Sequence, residues 1–61
     1  DYKYNNDILE RITGLKGIEL YEFISFCNFS RKFLLKASEY EITENVLEKL
    51  SEYRKLNPGA D

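Results

Sequence analysis

The sequence predicts an all-α domain, a compact bundle of about four short helices. Three observations predict it. Apolar residues recur at three- and four-residue spacing in four separate stretches. No stretch alternates apolar and polar residues as a half-buried strand would. Capping and breaking residues punctuate the apolar stretches, among them Asp7, Gly17, Asn28, Ser30, Thr43 and the Pro58-Gly59 pair.

Residues 1–6, DYKYNN, are polar and turn-prone and read as a flexible N-terminal arm. The helical domain is expected over 7–57, and 58–61 reads as a C-terminal tail. Asp7 is expected to cap the first helix, with Glu10 three residues on in a capping-box arrangement. Ile8, Leu9, Ile12 and Leu15 follow at helical spacing, Gly14 weakens the helix, and Gly17 is placed to end it in a left-handed conformation. In IELYEFISFC, Leu20, Phe23, Ile24 and Cys27 share one face. Asn28 follows, a residue that tolerates positive φ. Ser30 is expected to cap a third helix running from about Arg31 to Tyr40, with Phe33, Leu34, Ala37 and Tyr40 inside. Thr43 is expected to cap the last helix, whose buried face is Val46, Leu47, Leu50 and Tyr53. Arg54 and Lys55 fall near its C-terminus, where the macrodipole favours cations.

Composition removes several classes of function. A chain of 61 residues is one small domain or a piece of a longer chain, and without an initiator Met it reads as processed or excised. Its single Cys makes no internal disulfide, and with no His it builds no zinc site. A lone thiol fits a reducing, cytoplasmic compartment. No apolar run approaches the length of a membrane span, and no signal peptide is visible. The glycines at 14, 17 and 59 form no phosphate loop, and Cys27 has no histidine to activate it as a nucleophile. Glu39, Glu41 and Glu44 read as a solvated face. The expectation is a protein that is not an enzyme and needs no cofactor.

The charge distribution is uneven. The chain is acidic overall, with 11 Asp+Glu against 9 Lys+Arg, a net charge of −2 that argues against a nonspecific nucleic-acid coat. Yet Arg31, Lys32 and Lys36 cluster where no acid occurs between Glu22 and Glu39. They follow a spacing that suits a helix-turn-helix. Phe23 and Ile24 supply apolar residues from the first helix, Phe29 plugs the turn, and Leu34 with Ala37 anchors the second helix.

At these residues the sequence resembles the λ repressor/Cro-like (Xre-type) DNA-binding domains, whose pattern is roughly G-[ST]-x-x-x-L-A-x-x-x-G-[VI]-S-x-x-x-[IV]. In GIELYEFISFCNFSRKFLLKA, Phe23 stands at the usual Leu, Ile24 at the small residue, and Asn28 at the turn glycine. Phe29 takes the Val position, Ser30 matches Ser, and Leu34 matches the Ile position. ITENVLEKLSEY is similar to the helix that follows in that family, so the resemblance extends over roughly residues 7–56. It implies a small transcriptional regulator, or the DNA-binding part of one, that reads duplex DNA through the helix after Ser30. Arg31 would pair with a guanine edge or clamp a phosphate, Lys32 and Lys36 would meet phosphates, and Leu35 a thymine methyl. Ser30 and the N–H groups at the helix start would hold another phosphate.

A basic helical face is more often merely solvated, so a second class of function stands beside the first. Five Tyr and four Phe are more than a small core easily hides. Tyr21 and Phe26 lie off the main apolar stripe of their helix, and Leu35 sits among cations. An aromatic surplus at the surface suits a protein interface. The alternative is therefore a helical protein-protein interaction or dimerisation module without DNA binding, using Tyr21, Phe26 and Leu35. Under either reading the chain is expected to be a homodimer or part of a larger chain, away from membranes.

Overall fold

The computed structural model describes residues 4–56. The fold is all-α: helices α1 (Asn6–Thr13), α2 (Gly17–Cys27), α3 (Arg31–Lys36) and α4 (Glu39–Leu56), with no strand among the described residues. α1 and α2 both pack against α4, the 18-residue helix that forms the spine of the bundle. At about 1.5 Å per residue it is about 27 Å long.

The core is drawn from every helix except α3. Leu9 of α1, Leu15 of the α1–α2 connection, Leu20, Phe23 and Cys27 of α2, Ala37 after α3, and Ile42, Val46, Leu50 and Tyr53 of α4 are buried together. Phe23 meets Tyr53 edge-on, with ring centroids 5.5 Å apart. Such a pair adds to the burial energy because the ring edge of one lies on the electron-rich face of the other. Ile42, which precedes the expected cap Thr43, is 1% exposed.

Several boundaries differ from those expected. Asn5, not Asp7, caps α1: its side chain accepts the Ile8 N–H at 3.0 Å. Asp7 falls in the first turn, where its charge still favours the helix N-terminus. Capping at Asn5 places Tyr4 and Leu9 at the two positions of a hydrophobic staple. Tyr4 does pack on the core, with its ring 5.9 Å from Phe29 in a T-shaped contact. The arm expected over 1–6 is therefore ordered structure from Tyr4 onward, while 1–3 lie outside the described residues.

Gly14, not Gly17, ends α1. It adopts φ 78°, and its N–H donates to the Glu10 carbonyl at 2.8 Å. The Thr13 hydroxyl donates to the Leu9 carbonyl at 2.7 Å and accepts the Leu15 N–H at 3.1 Å, which turns Leu15 into the core. Gly17 has φ 61° and opens α2.

The third helix is also shorter than expected. α3 stops at Lys36, because Ala37 is extended at φ −74° and ψ 147°. Ser38 and Glu41 then form a reciprocal capping box. The Ser38 N–H donates to Glu41 Oε1 at 2.9 Å, and the Glu41 N–H donates to Ser38 Oγ at 3.1 Å. α4 consequently begins at Glu39, and Thr43, expected as its cap, lies inside it. Tyr40 and Leu47, expected inside, are 73% and 44% exposed. The expected terminator Pro58-Gly59 lies outside the described residues.

Candidate nucleic-acid interface

The segment joining α2 to α3 is built as its residue types require. Asn28 adopts the left-handed conformation at φ 48° and ψ 45° and ends α2, its N–H donating to the Ile24 carbonyl at 3.2 Å. The short polar side chain of Asn makes that conformation cheaper than it is for most residues. Phe29 is half-buried, packed between Tyr4 and Phe33, the latter at 5.3 Å. Ser30 caps α3, its Oγ accepting the Phe33 N–H at 3.0 Å. That oxygen is therefore committed to positioning the helix. A six-residue helix also has too few aligned peptides to make a strong anion site at its N-terminus.

At about 100° per residue, α3 divides cleanly. Arg31, Leu35, Lys32 and Lys36 follow one another around one arc, and all four are exposed. Phe33 and Leu34 take the other side, half-buried against the core. Among the described residues, Arg31, Lys32 and Lys36 enter no ion pair. Lys49 and Glu52 form an ion pair, 3.9 Å apart on α4.

The acids are close. Glu39 and Glu41 stand in the first turn of α4. Glu41 lines a shallow depression of about 370 Å³ together with Ser30, Lys32, Phe33, Lys36 and Ala37. Glu41 thus stands beside both Lys32 and Lys36, in a depression that also reaches Ser30.

The alternative interface residues are not brought together in the same way. Tyr21 and Leu35 are 72% and 65% exposed, on different helices. Phe26 is half-buried, its ring 5.5 Å from that of Tyr53 and with Lys49 Nζ 5.9 Å from its centroid. The other large exposed apolar residues are Ile18 and Leu56, and Tyr40 and Leu47, which were expected inside. Cys27 is a core residue, as expected. Burial pushes its thiol up to about 11, and the nearby Lys49 charge only partly opposes this. A thiol held protonated at neutral pH is a poor nucleophile. Among the described residues no group of acidic, Cys or His side chains could hold a metal ion, and no helix is long and apolar enough to cross a membrane.

No family model matches the chain, and neither the curated proteins nor the solved structures contain a significant match to it.

Proposed function

We propose that this chain binds duplex DNA through α3, as a small transcriptional regulator or the DNA-binding part of one. The observation that carries the reading is the exposed arc of Arg31, Lys32 and Lys36, unpaired among the described residues and held beside a left-handed Asn28 turn and a Ser30 cap. α2, the turn and α3 serve in this reading as a helix-turn-helix.

The length of α3 limits how the groove is read. Six residues span about 9 Å, so α3 enters the major groove shallowly and by its Arg31 end. Arg31 meets a guanine edge or a phosphate, while Lys32 and Lys36 hold the backbone. Leu35, midway along the cationic arc, meets a thymine methyl. Glu39 and Glu41 stop the helix from sliding further in.

Even with Arg31 on a phosphate, three phosphate contacts per copy are few. At a slope of about −0.9 per neutralised phosphate, they give log K against log salt a slope of about −2.7. Affinity then falls about forty-fold between about 50 and 200 mM salt. Two copies bound side by side double the slope and lose roughly 1,800-fold over the same range. We therefore place the active species as a homodimer or a longer chain. Fluorescence anisotropy with random-sequence duplex at those two salt concentrations tests the reading. Absence of binding at the lower salt overturns it. Exposed Tyr21 and Leu35 would then support the second reading, a protein-binding module.

A further inference from the structure

The outer side of α4 carries an apolar stripe that the described fold leaves uncovered. The buried residues Ile42, Val46, Leu50 and Tyr53 occupy one arc of the helix. At about 100° per residue, Tyr40 and Leu47 lie on a neighbouring arc with Ser51, bordered by Thr43 and Arg54. Tyr40 and Leu47 stand seven residues apart, and both are exposed. Beside Leu47 a depression of about 470 Å³ is lined by Leu47, Leu50, Ser51, Arg54 and Lys55. Positions 40, 43, 47 and 54 fall at the spacing of a heptad seam, with Leu50 buried in the core beneath them, and that is the spacing of a surface that packs against another helix.

Charge along α4 says which helix. Glu39, Glu41, Glu44 and Glu48 precede Lys49, with no cation among them, while the second half carries Lys49 ion-paired with Glu52 and then Arg54 and Lys55 in the last turn. An acidic partner helix meets repulsion at the first half, and a basic one at the last turn. A helix with the same division of charge, laid in the opposite direction, satisfies both ends at once.

We propose that this stripe is where two copies of the chain pair, with their α4 helices antiparallel about a two-fold axis near Leu47. In that arrangement Leu47 packs on Leu47 of the other copy, and Tyr40 faces the other copy's Arg54, a cation–π geometry. Glu44 and Lys55 lie on the same flank of the stripe, so each reaches the opposite residue of the other copy. A parallel arrangement sets acid against acid and base against base. The contact is isologous, so it closes at two copies. The proposal gives a surface to the dimer named above. It involves none of Arg31, Lys32 and Lys36, so its failure and the failure of DNA binding are read separately.

Sedimentation equilibrium on the full chain over a concentration series tests it, with circular dichroism to confirm that each variant is folded. The parent is expected to dimerise, Leu47→Glu to remain monomeric, and Tyr21→Glu, on the outer face of α2, to dimerise as the parent does. Lys55→Glu and Glu44→Lys should each raise the dissociation constant several-fold, and the double variant should restore it. These two positions are exposed and outside the core, so they keep the test open if Leu47→Glu unfolds. The proposal is overturned if the parent is monomeric at the highest concentration, which would leave the stripe to another protein or to a further segment of a longer chain. It is also overturned if Leu47→Glu folds and still dimerises, if Tyr21→Glu abolishes pairing, or if the double charge swap fails to recover it.

Discussion

Truncating Ile42 and Leu34 separately asks whether the tertiary packing is as described. Ile42 is 1% exposed and sits in the core beside Val46. Leu34 is only half-buried, packed at the edge of that core from the short α3. Removing a fully buried Ile side chain to Ala costs about 2–5 kcal/mol, which combines lost transfer energy and the cavity left behind. The edge position of Leu34 lets solvent or neighbouring side chains fill the space, so Leu34→Ala should cost about half as much or less. At about 0.05–0.15 kcal/mol per residue, the whole chain has about 3–9 kcal/mol of stability to lose. Ile42→Ala should therefore remove about a fifth of it or more, and at the low end of that stability should unfold the protein outright. Urea titrations followed by circular dichroism at 222 nm supply the comparison, with midpoints read at an unchanged slope. The reasoning is refuted if Leu34→Ala lowers the midpoint more than Ile42→Ala does, for that would place α3, not the start of α4, at the centre of the core.

Removing Lys32 or Lys36 should weaken binding to all duplex sequences alike and lower the salt slope by about one unit each, whereas a sequence-selective loss would contradict a phosphate role. Arg31→Ala should cost about 1–3 kcal/mol and relax sequence preference, measured by anisotropy against duplexes varied one base pair at a time. Ser38→Ala removes one half of the box that starts α4 and should cost about 0.5–2 kcal/mol in the same urea assay, and no change there would mean that α4 does not depend on this cap. The Cys27 thiol titrates from an ordinary 9.0 to about 11 on burial, so its contribution to stability is full below pH about 9 and is lost as pH rises through about 11. Unfolding midpoints should fall over that window and fall less in Cys27→Ala; an identical pH profile in the two proteins would show that the thiol does not titrate as a buried group.

Much of the fold is legible in the residues themselves. Apolar spacing located all four helices, and Asn28 and Ser30 marked the α2–α3 turn correctly because each residue acts on its own backbone. The errors fall where two plausible local signals compete. Asn5 and Asp7 are both good caps, and packing of Tyr4 on Phe29 goes with the earlier one. Gly14 and Gly17 both accept positive φ and both adopt it, but only Gly14 closes a helix. Ser38-Glu39-Tyr40-Glu41 is itself a capping-box pattern and marks the start of α4, yet the apolar spacing of Ala37 and Tyr40 runs across it.

The candidate site was legible in outline. Arg31, Lys32, Leu35 and Lys36 were placed on one exposed face, and they occupy one. The shortness of α3, and with it the placing of Glu39 in the first turn of α4, was not foreseen, because both follow from where α4 begins. Phe26 read as surplus and proved to be packing against Tyr53, a residue 27 positions away that no local pattern connects to it.

Composition, apolar periodicity and capping chemistry therefore settled on their own that the chain is helical, roughly where its helices lie, and which face of α3 carries positive charge. These are short-range properties, decided within a few residues of backbone. Only the tertiary structure decided that Ile42 is core and Leu34 its edge, that Tyr40 and Leu47 face outward, and that α4 is the spine against which α1 and α2 pack. An amphipathic helix has more apolar residues than its neighbours can cover, and which of them are covered depends on where those neighbours sit in space.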